Sequence, residues 1–283
     1  GVIRIYSACG DTRIYEFSWD GSNWIKSEVG SESYSMGKIM IAEGWNDGKS
    51  RIYVHNDDKN IYEYSYQAGV WYKTGVVDIY DDITMFTIGD SRDDRIIRLI
   101  VAAPGTWGDI LEFTFSNGAW KYTAEVGGWI GGYPFLTIGS GRNDGKNRVY
   151  TADMYYSEFQ EYTWAGSGYS KYIIENIDGT YYDVIIGKGR NDGTNRIYCA
   201  VWNGYLREYM WTGTEFTKNN IYSGSASSLK SIAIGDARNE GRNRVYAGNS
   251  AGSLFEFTWT GSTWTVSEIM TFPSSVNDIV IGD

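Results

Sequence analysis

One ten-residue stretch keeps returning, and its return constrains the fold more than any other feature of the chain. Gly141-Arg-Asn-Asp-Gly-Lys-Asn-Arg-Val-Tyr150 comes back as Gly189-Arg-Asn-Asp-Gly-Thr-Asn-Arg-Ile-Tyr198, as Ala237-Arg-Asn-Glu-Gly-Arg-Asn-Arg-Val-Tyr246 and as Gly44-Trp-Asn-Asp-Gly-Lys-Ser-Arg-Ile-Tyr53. Ser91-Arg-Asp-Asp-Arg-Ile-Ile-Arg-Leu-Ile100 is a worn copy. The arginine that opens the Arg-Ile-Tyr-like segment stands at 4, 51, 98, 148, 196 and 244, in steps of 47, 47, 50, 48 and 48.

Each repeat reads as four short strands. In the fifth, strand A is expected over 183–187 and innermost, followed by the Asn-Asp-Gly turn, whose residues suit positive φ. Strand B is expected over 196–201, with a tight turn at Asn203-Gly204, then strand C over 205–211 and strand D from Phe216 to about Tyr222. A fixed period with four strands per unit selects an all-β, six-bladed β-propeller, a single domain spanning residues 1–283. The first repeat begins at strand B (Ile3-Arg4-Ile5-Tyr6) and lacks a strand A of its own. The last segment, Val276-Asn-Asp-Ile-Val-Ile-Gly-Asp283, matches strand A elsewhere, such as Ser231-Ile-Ala-Ile-Gly-Asp236. The C-terminal strand is therefore expected to complete the first blade and remove an open sheet edge, which makes loss of the last eight residues severe.

Composition narrows the partners. The net charge is -10 with no basic cluster, which argues against nucleic acid, anionic membranes and sulfated glycans. No apolar run is long enough for membrane insertion. The 35 Gly against 3 Pro say that glycine makes the turns, and 12 Trp with 24 Tyr call for sheets to pack on or ligands to stack against. The chain opens at Gly1 without Met and without a signal peptide in view; a processed form or excised domain of an extracellular or secreted protein is expected. Cys9 and Cys199 fall on the same strand of repeats one and five, too far apart to bridge, and are expected as buried free thiols.

A second layer of repetition goes beyond what turns require. A Glu follows the strand-B Arg in every copy: Arg4/Glu16, Arg51/Glu63, Arg98/Glu112, Arg148/Glu161, Arg196/Glu208 and Arg244/Glu256. Three residues after that Glu stands an aromatic (Trp19, Tyr66, Phe115, Trp164, Trp211, Trp259), and eight after it another (Trp24, Trp71, Trp120, Tyr169, Phe216, Trp264). Arg opens strand B, Glu lies on antiparallel strand C, and the aromatics flank the C–D turn, so all gather at one rim together with the A–B loop.

Ile3-Arg4-Ile5-Tyr6 followed by Glu16-Phe-Ser-Trp19-Asp-Gly-Ser-Asn-Trp24 resembles the repeat of the fucose-binding six-bladed propeller lectins of fungi and soil bacteria. The resemblance covers strands B to D, roughly half the chain. It implies that Arg and Glu of one blade hydrogen-bond a sugar's hydroxyls and ring oxygen while an aromatic stacks on its apolar face between blades. The implied carbohydrate-binding set is Arg4, Glu16, Trp19, Trp24, Arg51, Glu63, Trp71, Arg98, Glu112, Trp120, Arg148, Glu161, Trp164, Arg196, Glu208, Trp211, Arg244, Glu256, Trp259 and Trp264. The implied function is multivalent recognition of neutral sugars such as fucose on glycans or glycoproteins. The A–B loop is similar to the Asp-x-Asn-x-Asp-Gly calcium loops of integrin-like propellers, but Gly or Arg stands where acids would be needed; a plain turn is expected, and no cofactor.

Other readings stand beside this one. Arg/Glu pairs also fix register between blades, and a repeat duplicates structural pairs as faithfully as binding ones, so a non-catalytic structural or protein-interaction module of a larger extracellular protein is the alternative. Buried Glu208 and Glu256 with a filled blade junction would favour it. Phe115 and Phe216 read as packing, and Tyr6, Tyr53, Tyr150, Tyr198 and Tyr246 as core. An enzyme would need a unique carboxylate cluster at the central channel, for which Asp82, Asp183 and Asp278 are the candidates. The single histidine, His55, reads as a solvated turn residue beside Asn56-Asp57-Asp58.

Overall fold

The computed structural model describes residues 3–58, 60–77, 83–103, 108–128, 134–152, 158–176, 180–202, 204–224 and 227–282. Among them, six four-stranded antiparallel sheets form six blades. Blade 1 contains β1 (Arg4–Cys9), β2 (Arg13–Trp19) and β3 (Trp24–Ser31). Blade 2 contains β4 (Met36–Ala42), β5 (Arg51–Asn56), β6 (Ile61–Gln67) and β7 (Val70–Val77). Blade 3 contains β8 (Met85–Gly89), β9 (Arg98–Ala103), β10 (Asp109–Ser116) and β11 (Ala119–Gly127). Blade 4 contains β12 (Phe135–Gly139), β13 (Arg148–Ala152), β14 (Glu158–Trp164) and β15 (Tyr169–Asn176). Blade 5 contains β16 (Tyr181–Gly187), β17 (Arg196–Val201), β18 (Tyr205–Trp211) and β19 (Phe216–Ser223). Blade 6 contains β20 (Leu229–Gly235), β21 (Arg244–Asn249), β22 (Ser253–Trp259) and β23 (Trp264–Thr271). The last strand, β24 (Val276–Gly282), pairs with β1 from Arg4↔Gly282 to Cys9↔Val276 and completes blade 1 as expected.

The first strand of each blade lines the central channel, and these strands contact one another around the ring, β24 meeting both β20 and β4. Close approach there needs a missing side chain. A Cβ on Gly235 would come within 2.7 Å of Ile281, and one on Gly282 within 2.9 Å of Ile41; five of the six inner strands end on a glycine against the next blade's isoleucine, and β4 ends on Ala42. The second strands are buried, β5, β9, β17 and β21 along their whole length, because a blade stacks on each face. That burial explains apolar runs such as Ile-Tyr-Cys-Ala-Val in β17. The outer strands are exposed and carry Lys26, Lys73, Lys121, Lys171 and Lys218, charges that discourage edge-to-edge pairing.

The core lies between blades. Tyr6, Tyr53, Tyr150, Tyr198 and Tyr246 are all buried, as read from the sequence. Cys9 on β1 and Cys199 on β17 are buried free thiols. The innermost strand of blade 5 starts earlier than expected, at Tyr181, with a register shift between Tyr181 and Asp183. His55 requires correction. It is not a solvated turn residue; it is the penultimate residue of β5, a strand buried throughout, and its Nε2 lies 2.8 Å from the Ile83 carbonyl of the next blade. The turn signals begin one residue later, at Asn56. Asp82 and Asn203 lie outside the described residues.

Candidate functional site

Strand register assembles the repeated side chains. Glu16 pairs across from Tyr6, Glu63 from Tyr53, Glu161 from Tyr150, Glu208 from Tyr198 and Glu256 from Tyr246, while Ile100 stands opposite Glu112. Alternation then puts the Arg two residues before the tyrosine on the same face as the Glu. The Arg Nε lies 3.4–3.6 Å from the Glu carboxylate in all six blades.

The A–B loop contributes three further contacts, none anticipated from the sequence. First, the acid of the turn grips the strand-B Arg. Arg196 donates from Nη1 and Nη2 to both oxygens of Asp192 at 2.9 and 2.6 Å, and Arg51, Arg98 and Arg148 do the same to Asp47, Asp94 and Asp144. In blade 6, Arg244 donates to Glu240 at 2.6 Å. These arginines therefore face the loop, and hydrogen bonds from them hold Asp47, Asp144 and Asp192 at about 2, below the usual carboxylate range.

Second, the turn asparagine clasps the next blade. Asn191 accepts the Asn243 N–H at 2.7 Å and donates its amide to the same residue's carbonyl at 2.9 Å. Asn46, Asn143 and Asn239 clasp Ile97, Asn195 and Ile3 in the same way. The side-chain amide thus copies the two-bond pairing of a neighbouring strand.

Third, the residue before that asparagine fills the blade junction. Arg142, Arg190 and Arg238 each bond the Glu of their own blade and lie over a Trp of the next. Arg142 Nε donates to Glu161 at 3.0 Å with its guanidinium 4.2 Å from the Trp211 ring centre. Arg190 does so to Glu208 at 2.9 Å and lies 4.1 Å from Trp259. Arg238 holds Glu256 and lies 4.6 Å from Trp19. In blade 3, Arg92 donates to Glu112 and stacks 3.7 Å from Trp164. Blade 2 uses Trp45, whose indole donates to Glu63 at 2.8 Å and whose ring lies parallel to Phe115, 4.8 Å away. Five junctions thus hold a planar side chain between a carboxylate and an aromatic face.

The carboxyls of Glu112 and Glu63 shift in opposite directions. Burial pushes the Glu112 carboxyl up, but Arg92, Tyr169, Ser91 and Thr123 outweigh it and leave the group below its ordinary value. Burial also raises Glu63, and with the neutral Trp45 indole as first opposing donor the carboxyl stays above its ordinary value. The Glu side chains of blades 2 to 6 are between 0 and 4 % exposed. At these junctions the Arg, Glu and Trp expected to hold sugar are therefore engaged by the protein's own loop. The aromatics eight residues after the Glu pack inward: Trp71, Trp120, Trp264 and Trp24 meet Tyr6, Tyr53, Tyr198 and Tyr246 edge-on at 5.8–6.5 Å.

The junction of blades 1 and 2 differs. Here Arg4, Tyr6 and Glu16 of blade 1 face Glu43, Gly48, Ser50, Tyr66 and Trp71 of blade 2 across a cavity of about 420 Å³. Glu16 is 20 % exposed and Tyr66 55 %. Arg4 Nε lies 3.4 Å from Glu16, and the Trp71 indole donates to Glu16 at 3.4 Å. At the junctions of blades 5/6 and 6/1 the corresponding Trp264 and Trp24 indoles are buried without a hydrogen-bond partner, and a loop Arg holds the carboxylate.

A second cavity of about 190 Å³ opens on the central channel. Lys38 of blade 2 reaches across to Asp183 of blade 5 at 3.1 Å and to Asp278 of blade 1 at 3.4 Å. Asp278 also accepts the Ile39 N–H at 2.7 Å, and Asp183 the Ile232 N–H at 2.8 Å, so each carboxylate ties its blade to the next. Two of the three carboxylates weighed for catalysis are thus paired with one lysine and with backbone. Among the described residues no group of three His, Cys, Asp or Glu is arranged to hold a metal ion.

The loop arginines carried a signal that was available in the sequence. An Arg precedes the turn residue in four repeats, and a buried carboxylate needs more donors than the strand-B Arg supplies.

No protein-family model matches the chain, and no curated protein matches it. Solved structures share the fold. A point mutant of Aleuria aurantia lectin in complex with α-methyl-L-fucoside is 17 % identical, with a TM-score of 0.65 over 95 % of this chain and 90 % of that one. The SapL1 lectin in complex with α-methyl fucoside is 19 % identical, with a TM-score of 0.66 over 96 % of this chain and 93 % of that one. The chain therefore has the six-bladed architecture of fucose-binding propeller lectins.

Proposed function

We propose that this protein is an extracellular carbohydrate-binding propeller whose open site is the junction of blades 1 and 2. The observation that carries this reading is the cavity where Glu16 and Arg4 meet Tyr66 and Trp71. A partly exposed carboxylate accepts two neighbouring hydroxyls, a guanidinium donates to a ring or hydroxyl oxygen, and an aromatic face takes the C–H side of a sugar. The acid charge of the protein favours a neutral sugar such as fucose. The two lectins of like fold were solved with a methyl fucoside, which supports the same class of ligand here. A glycan array followed by calorimetric titration tests it; no binding to any neutral glycan at high protein density would overturn it.

A second reading has its own support. Five junctions are filled from within, and Glu208 and Glu256 are buried, the arrangement a structural or protein-interaction propeller would have. In our reading the scaffold role belongs to those five junctions and recognition to the first.

A further inference from the structure

We infer that the cavity on the central channel is a second binding site, one that takes a small organic cation made of an ammonium and a single apolar ring. This goes beyond the sugar reading and does not depend on it. One ring of positions breaks the sixfold pattern of the inner strands. One residue before the end of each, the chain repeats isoleucine: Ile281, Ile41, Ile88, Ile138, Ile186 and Ile234. Three residues earlier, blades 1 to 6 carry Asp278, Lys38, Met85, Phe135, Asp183 and Ser231. That ring is two-sided. Its charged members come from blades 1, 2 and 5 and its large apolar ones from blades 3 and 4, and all of these line the cavity of about 190 Å³.

Charge sets the class of ligand. Lys38, Asp183 and Asp278 are all buried, and the lysine shares its one positive charge between the two carboxylates at 3.1 and 3.4 Å. A buried set with one negative charge in excess is unfavourable, and burial pushes the Asp278 carboxyl above its ordinary value. A proton or a cation supplies the missing charge. Lys38 meets Asp278 only at 3.4 Å, a long contact that a ligand ammonium closer to the carboxylate improves on.

The opposite wall sets the size and the apolar part. Phe135 meets Tyr182 edge-on with ring centres 6.4 Å apart, and Met85 lines the same cavity. An apolar cavity of about 150 Å³ holds benzene, so this one takes a single ring with a short substituent. Tyr182 shows what its face accepts: Lys230 Nζ lies 3.5 Å from its ring centre. Lys230 is only half-buried, so water screens it and it offsets the buried charge in part. It also competes with an incoming cation for the Tyr182 face.

The test titrates benzylammonium into the intact chain by calorimetry, with benzyl alcohol and phenylacetate as its neutral and anionic counterparts. The expected result is one benzylammonium per chain, bound about tenfold or more tighter than either counterpart and not displaced by α-methyl-L-fucoside. Asp278→Asn should weaken binding about tenfold, and Lys230→Gln should strengthen it. Tyr182→Leu, at a half-buried wall position, should also weaken it while leaving the buried charges alone; circular dichroism checks that each variant keeps its fold. Benzyl alcohol or phenylacetate binding as tightly as benzylammonium overturns the inference. So does displacement by the fucoside, binding unchanged in Tyr182→Leu and in a folded Asp278→Asn, or no binding of benzylammonium. Fucoside binding in that last case leaves the sugar reading intact.

Discussion

Arg238 and Glu256 meet through two parallel hydrogen bonds, Nε to Oε2 and Nη2 to Oε1, each 2.9 Å long. The pair joins the loop to β22 and occupies the carboxylate that a ligand at this junction would need. Removing the arginine leaves a nearly buried carboxylate with Arg244 Nε 3.6 Å away as its nearest cation. Arg238→Ala should cost about 2–3 kcal/mol, toward the low side for a buried pair because the arginine keeps some solvent contact. Adding Glu256→Gln to it should restore at least half of that loss, since the unpaired charge is then gone. Urea unfolding of the three variants measures both numbers.

The asparagine clasp makes a graded prediction. Asn191→Ala removes both bonds to Asn243 and places alanine at φ +60°, for a loss of about 2 kcal/mol. Asn191→Asp keeps the acceptor and loses only the donor, so it should cost roughly half as much. The worn third repeat already contains this substitution: Asp93 accepts the Asn147 N–H at 2.7 Å. Thermal melts of the two variants rank them.

The same worn loop has a residue out of place. Arg95 adopts φ +66° where Gly48, Gly145, Gly193 and Gly241 adopt 75–81°. Its side chain is exposed, while its N–H donates to Asp90 at 2.8 Å, a bond glycine would keep. Arg95→Gly should stabilise the protein by about 1 kcal/mol, the left-handed strain outweighing the added freedom of the unfolded chain. An unchanged or lower urea midpoint would contradict the assignment of strain.

Stability should fall in two separate pH ranges. Asp47, Asp144 and Asp192 titrate at about 2, so the unfolded chain binds their protons first. Their contribution is complete above the ordinary carboxylate value of about 4 and is lost as pH falls through about 2. Asp278 is the opposite case. Burial raises it above the ordinary carboxylate value, Lys38 opposing and Asp183 assisting. Its contribution is complete below the ordinary carboxylate value of about 4 and is lost as pH rises through the raised value. Asp278→Asn should abolish the upper decline and leave the acid one, which urea midpoints from about pH 2 to about pH 8 would resolve.

Much of this molecule was legible because it repeats. Six arginines at steps near 48 give the blades, and the match of 276–283 to the inner-strand pattern gives the ring closure seen in the pairing of β24 with β1. Arg, Glu and the aromatics do share one rim, since antiparallel register fixes their faces. What escaped were the contacts that loop residues make across blades. Arg190 reads as the first residue of an Asn-Asp-Gly turn, and the Trp259 that covers it lies in the next repeat, so no local pattern announces the stack. Lys38 occurs in one repeat only, and its reach to Asp183 crosses the channel between blades that are not neighbours. His55 was misplaced because turn residues follow it directly, while its strand is buried by the blades on either side.

Calorimetric titration of α-methyl-L-fucoside into the intact chain, repeated with Glu16→Gln and Glu208→Gln, tests the central claim most directly. One junction open among the described residues, beside five filled ones, predicts a single site per chain, abolished by Glu16→Gln and untouched by Glu208→Gln. Several sites per chain, binding that survives Glu16→Gln, or no binding to the unaltered protein would contradict it.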